Sequence, residues 1–172
     1  MPQSDSPSFE DLLSATERSA VHLEMRDSYA VTYERADLDA WRETGRWDNP
    51  QYWQPWIDLV QAATRRGVTF RRARIVSEPV TEYVRFEHAG TVNNVTAGEE
   101  VRWLPRRLAS DLCLPGNDFW VFDDRVVRFG HFTGDGDWAG QEVRDEPAVA
   151  KLCSTAFEAV WERATPHAEF QV

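Results

Sequence analysis

The stretch GNDFWVFDDRVVRFGHF, residues 116–132, brings Asp118, Asp123, Asp124 and His131 close together in the chain. Carboxyl and imidazole groups of this kind could do general acid–base work, moving a proton at a reacting centre. Their spacing argues for a structural role instead. Side chains alternate along a strand, so Asp118 and Asp124 stand at the two ends of the apolar run FWVF and not side by side. Asp123 and Asp124 suit a tight hairpin turn, where an Asp carboxylate accepts from backbone N–H groups. His131 has no second histidine near it. The stretch is expected to be a hairpin that carries its own core, with Phe119, Trp120, Val121 and Phe122 serving stability.

A second group with chemical capacity lies in TEYVRFEH and GEEVRWLPRR. Glu82, Arg85, Glu87 and His88 fall just after a strand-like segment, where α/β folds place ligands. Arg102, Trp103, Arg106 and Arg107 add cationic and aromatic groups. The candidate ligand-binding set is Arg85, Glu87, His88, Arg102, Trp103 and Arg106. A hydrolase-like enzyme would draw its site from Glu87, His88, Arg102 and Asp118. The bland alternative is ion pairing on a solvated helix face, with Glu82 and Arg85 as an i,i+3 pair. No residue is assigned a catalytic role.

Metal and cofactor signals are absent. Histidines 22, 88, 131 and 167 show no local ligand spacing, and GDGDWAG (134–140) lacks the spaced oxygen ligands and closing Glu of a calcium loop. HExxH, CxxC, GxGxxG, GxxxxGK[ST] and GxSxG do not occur. Neither a metal nor a cofactor is expected. Cys113 and Cys153, in apolar surroundings, are expected to be buried thiols.

At 172 residues, with 42% hydrophobic residues and eight tryptophans, the chain can bury a core as one domain. Its net charge of −10 repels nucleic acid in bulk. RRGVTFRRAR (65–74) is a local exception with five arginines and no acid. Arginine is used throughout, however, since Lys151 is the only lysine. No recognition-helix or RNA-binding signature accompanies the run, so direct nucleic-acid binding is not expected. No apolar run reaches the roughly 18 residues of a membrane span, and the N-terminus lacks signal-peptide character. Cytoplasmic localisation is the expectation.

The elements that must position these residues follow from periodicity and punctuation. A tail over 1–8 precedes one domain over 9–172. A short helix over 9–16 leads to a strand over 19–26, in which Val21, Leu23 and Met25 alternate with His22, Glu24 and Arg26. That strand reads as half-buried and near an edge. Asp37 caps a helix that Gly45 stops, and WDNPQYWQP is turn chemistry. Pro55 opens a helix to residue 66, and a strand follows over 68–76, with Arg72 and Arg74 projecting from one face. Ser77 caps a helix over 79–95 with Pro79 in its first turn, although TEYVRFEH also fits a strand. Strands over 101–104, 118–123 and 125–130, a GDGDWAGQ loop and a helix over 147–164 complete the chain. The sum is an α/β (or α+β) domain: a central mixed sheet covered by helices, with a C-terminal helix after a β-hairpin.

Taken together, FRRARIVSEPVTEYVRFEH, GEEVRWLPRR, LPGNDFWVFDD and AFEAVWERATPH resemble an uncharacterised family common in Streptomyces and related actinobacteria. The resemblance spans nearly the whole chain. Members are often encoded beside helix-turn-helix regulators or their small acidic partner proteins, which implies a regulatory setting and assigns no catalytic residue. A second resemblance concerns fold. ATRRGVTFRRARIV followed by DFWVFDDRVVRFG is similar to the strand and hairpin arrangement of phospholipase D-like domains. Those enzymes need a His, a Lys two residues on and a later Asp. Here Ala89 and Gly90 follow His88, Phe132 and Thr133 follow His131, and the phosphodiesterase chemistry is absent. The expected function is a non-enzymatic regulatory or protein-interaction module, with a helix-turn-helix regulator as a candidate protein partner and a small-molecule ligand as a further one. The hydrolase-like enzyme is the alternative.

Overall fold

Two arginines on one face of a central strand set the layout. In the computed structural model, which describes residues 6–29 and 34–172, the elements run α1 (Phe9–Ser14), β1 (Ser19–Glu24), α2 (Arg35–Thr44), α3 (Pro50–Arg65), β2 (Thr69–Val76), α4 (Glu82–Ala97) and β3 (Glu99–Pro105). They continue through a 3-10 turn (Arg106–Ala109) to β4 (Phe119–Phe122), β5 (Val126–Phe132), β6 (Trp138–Arg144), α5 (Pro147–Arg163) and β7 (Thr165–Pro166). One mixed sheet results, in the order β6-β5-β4-β1-β2-β3-β7. β1, β2 and β3 are parallel, joined by helical crossovers, and the other pairings are antiparallel.

Alternation along the strands sends unlike residues to the two faces. Val21, Leu23, Ala73, Ile75, Phe119 and Val121 pack on α5 in a dry core. Ala20, Phe70, Trp120 and Phe122 face the other way, against α1 and α3. Beyond them on that second face stand His22, Glu24, Arg72 and Arg74. The register pairs His22 with Arg72 and Glu24 with Arg74.

The hairpin forms as its residues require. Asp123 and Asp124 have φ of 53° and 57°, the left-handed pair of a two-residue turn whose twist matches the strands. The Asp123 carboxylate also reaches across to accept from the backbone N–H groups of Glu17, Arg18 and Ser19, at 2.8, 2.7 and 2.9 Å. Burial pushes that carboxyl up, but the three N–H donors hold it below the usual carboxylate range.

Several expectations are corrected. β1 is central, paired with β4 on one side and β2 on the other, and its half-buried Glu24 meets Arg72 and Arg74. Pro55 lies inside α3, which starts at Pro50 under the Asn49 cap. Asp37 sits in the first turn of α2 and Gly45 ends it with φ 71°. The segment around TEYVRFEH is helical, but Thr81 and not Ser77 caps it. GDGDWAGQ contributes to the edge strand β6, and β7 is an added short pairing. Cys153 is buried while Cys113 is exposed. Most of the expected tail lies outside the described residues.

These contacts rank the hairpin's side chains. Phe119 is 1% exposed, so Phe119→Ala should cost about 3–5 kcal/mol through lost transfer energy and an unfilled cavity. Asp123→Ala, which strands three N–H groups, should cost about 2–4 kcal/mol. Asp124→Asn should change stability by less than about 1 kcal/mol, because its carboxylate meets only the exposed Ser154 hydroxyl and Asn tolerates the positive φ. Urea unfolding of the three variants checks the order.

Candidate ligand-binding site

Arg72 and Arg74 lie under α3 and α4, each less than 10% exposed, and a guanidinium there needs carboxylates within reach. Glu24, at the end of β1, and Glu99, at the start of β3, supply them. Arg72 donates to Glu99 at 2.8 Å and to Glu24 at 2.7 Å. Arg74 donates to the other Glu24 oxygen and to the Thr91 hydroxyl, and its guanidinium lies 3.8 Å from Glu87. Glu99 also accepts from the Trp56 indole and the Asn94 amide, at 2.6 and 2.7 Å. Burial alone would raise the Glu24 carboxyl, but Arg74 and Arg72 hold it well below the usual range. His22 stacks on Trp120 with centroids 4.2 Å apart, and burial keeps its imidazole neutral.

This network floors a cavity of about 730 Å³. Trp47, Trp53 and Tyr52 wall one side, and Tyr29, Tyr83 and Phe132 wall another. Trp47 stacks on Phe86 at 3.8 Å between centroids. Gly90 permits that approach, since a Cβ there would sit 2.3 Å from the Trp47 ring. Besides Glu10, three more carboxyls line the space. Glu34 accepts from the hydroxyls of Tyr52 and Tyr83, at 2.6 and 2.7 Å. Asp118 accepts from the Met25 N–H at 2.8 Å and from the Tyr29 hydroxyl. Glu87 has only the Arg74 contact among the described residues.

Desolvation dominates the acidity of these three groups. Burial raises Glu34 in spite of its two phenol donors. Burial, reinforced by Glu24, pushes Asp118 up to about 6. Burial lifts Glu87 to about 8 against the pull of Arg74, with Glu24 and Glu34 adding to the rise. Four further buried atoms on lining residues, His22 Nδ1, Trp47 Nε1, Trp53 Nε1 and Asn94 Oδ1, make no hydrogen bond among the described residues.

The groups singled out from sequence part company here. Glu87 and Asp118 share the cavity, and Trp103 packs behind it beneath the Arg74 guanidinium at 4.9 Å. His88 turns to the C-terminal segment and meets the Phe170 carbonyl at 3.0 Å. Arg102 lies on the opposite sheet face, donating to the Trp161 carbonyl at 3.1 Å and stacking on its ring. Arg85 is exposed, and Arg106 ties strand ends together through Ser77 Oγ and the Met25 carbonyl. Glu82 pairs with Arg42 rather than Arg85. His131 lies near Glu142 at 3.8 Å, away from the cavity lining. Sequence reasoning missed Glu24, Glu34, Tyr29 and Tyr52. A signal existed for Glu24, whose parity and charge complement Arg72 and Arg74 once the two strands are paired in parallel.

Fold and site together define a single domain whose seven-stranded mixed sheet and helices form an open, small-molecule-sized cavity lined by aromatic and carboxyl groups. The chain belongs to the family described as a domain of unknown function, DUF6879, whose profile matches residues 7–172. No curated protein matches it by sequence. Among solved structures, NucT from Helicobacter pylori is similar at 9% identity and a TM-score of 0.49, over 91% of this chain and 87% of its own. No helix among the described residues is long and apolar enough to cross a membrane, and no group of three or more His, Cys, Asp or Glu side chains among them could hold a metal ion.

Glu87 carries a pH signature. Its folded pKa lies above the unfolded value, so its contribution is fully present below the usual carboxylate pKa and is lost as pH rises through about 8. Glu87→Gln mimics the protonated form. Relative to wild type it should be near neutral at pH 4 and more stable at pH 9, by an amount on the order of a few kcal/mol at most. Urea unfolding at the two pH values checks the sign.

Proposed function

We propose that the chain is a non-enzymatic, ligand-responsive regulatory module, in which the cavity takes a small organic molecule and the outer surface serves a protein partner. The observation that carries this reading is the cavity itself. It is large, walled by aromatic rings and floored by charges already satisfied by one another, the character of a preformed binding site. Catalysis finds less support. Among the described residues the one neutral imidazole on the lining, His22, is stacked on Trp120. The Thr91 hydroxyl is engaged, donating to the Glu87 carbonyl and accepting from Arg74. The resemblance to chains encoded beside helix-turn-helix regulators makes such a regulator the first partner to test.

One observation favours a hydrolase-like second reading: Asp118 and Glu87 share the cavity with acidities raised to about 6 and 8, a pair of environments suited to proton transfer. Turnover separates the two. A cavity ligand found by thermal-shift screening should raise Tm by about 5–10 °C at hundredfold excess over Kd. Mass spectrometry should recover it chemically unchanged after prolonged incubation. Conversion of the ligand, lost in Asp118→Asn, would establish the enzyme instead.

A further inference from the structure

We propose that the cavity selects an organic cation, an ammonium group carried on an aromatic or aliphatic body; this rests on the ligand-binding reading above. The charge inventory is the first support. Five lining residues are acids, Glu10, Glu24, Glu34, Glu87 and Asp118, against three arginines. Two of those arginines, Arg72 and Arg74, are consumed by Glu24 and by Glu99 beneath the lining. The third, Arg128 on β5, donates to Gln141 at 2.6 Å and lies over the rings of Phe9 and Trp138. Glu34 and Asp118 therefore have phenols and a backbone N–H as donors, and no arginine hydrogen-bonds to either among the described residues.

Unmet hydrogen bonding is the second support. Asn94 is 3% exposed, and its Oδ1 accepts from nothing among the described residues. The Glu87 carboxyl likewise lacks a hydrogen-bond donor among them, its one contact being the 3.8 Å approach of Arg74. Both lining groups are acceptors that an ammonium N–H would satisfy, or whose charge a quaternary ammonium would offset. The indole N–H groups of Trp47 and Trp53 suit an acceptor, a hydroxyl or carbonyl, on the body of the same ligand. The third support is the wall. Electron-rich rings attract a desolvated cation through the negative face of the ring. An anion would instead meet carboxylates beside Arg72 and Arg74, which are already engaged, and would find only Arg128 among the lining arginines without a carboxylate partner among the described residues.

The same groups give the binding a direction in pH. A cation stabilises ionised Asp118, Glu34 and Glu87, the three carboxyls that burial now pushes up. From the other packed elements, Glu24, Arg72 and Arg74 stay charged and His22 stays neutral. Cation affinity should therefore rise with pH between about 6 and 8, by up to about tenfold per pH unit for each proton released on binding.

Isothermal titration of the full chain with 2-phenylethylamine, 2-phenylethanol and 3-phenylpropanoate, each to millimolar concentration, tests the proposal. These probes share a body and differ in charge. The amine should bind at least tenfold more tightly than the alcohol, and the carboxylate should not bind. Amine affinity should climb with pH while that of the alcohol stays level, and folded Asp118→Asn or Glu34→Gln should lose most of the preference. Equal or tighter binding of the alcohol or carboxylate, lost in Gly90→Leu or Trp53→Ala, would overturn the cation and leave the ligand-binding reading standing. A flat pH profile for the amine would also overturn it. Failure of all three probes with correctly folded protein would remove both.

Discussion

Arg72 and Arg74 are the constraint on which the rest of the structure depends. A buried guanidinium without a partner costs several kcal/mol, so the strands on either side must bring carboxylates to the same level. Glu24 of β1 and Glu99 of β3 do so, and the three parallel strands become bridged through β2. The bridging also fixes register. A slip of one residue would turn Arg72 and Arg74 into the apolar layer between the sheet and α5, and Ala73 and Ile75 into the carboxylates. Stability alone does not call for these charges, since well-packed apolar residues often serve as well in such positions. Their distinct contribution is a unique pairing and a polar floor.

From that floor the asymmetry of the two sheet faces follows. On the α5 side, the buried side chains form a continuous apolar cluster. On the α3 and α4 side, the apolar layer of Ala20, Phe70 and Phe122 gives way within two to four residues along the strands to His22 and Glu24, to Arg72 and to Asp118. Purely aliphatic side chains cannot cover carboxylates without leaving oxygen atoms unpaired. Tyr and Trp can, because each has an apolar body and one polar tip. Tyr29, Tyr52, Tyr83 and Trp56 place those tips on Asp118, Glu34 and Glu99. Rings anchored at their tips do not collapse onto the floor, and the space between them is the cavity.

Much of the fold was legible in the sequence because it depends on local rules. The α/β (or α+β) class, the hairpin with its Asp123-Asp124 turn, the Gly45 stop and the C-terminal helix all rest on residues close in the chain. What failed was context. Alternation in residues 19–26 gives the correct parity, yet polar residues on one face were taken to mean water when they meant Arg72 and Arg74. Gly and Asp masked β6, since an edge strand paired on one side tolerates them. The site was less legible still. Glu24, Glu34, Glu87, Glu99 and Asp118 come from five separate segments, and no local spacing announces a chamber assembled by β1–β2–β3 parallel pairing. Charge alone favoured Arg102 and Arg106, which the fold commits to other contacts.

The hairpin shows why structural and functional readings of one stretch need not compete. β4 sends Phe119 and Val121 into the dry core and Trp120 and Phe122 to the cavity side, so its apolar run serves both faces. The aspartates divide by position. Asp123, at the turn, is spent on backbone N–H groups of the chain entering β1 and fixes how that strand docks. Asp118, at the other end, lies where the sheet meets the chamber, holds the Met25 N–H and the Tyr29 hydroxyl, and loses enough water for its acidity to weaken. A carboxyl is thus structural or responsive according to how many donors it has relative to the water it has lost. Asp123 has three backbone donors and stays acidic, whereas Asp118 has two donors beside a like-charged neighbour and does not. Four apolar residues separate these two outcomes, and the separation is what lets one hairpin anchor the sheet at its turn while presenting a titratable group at its base.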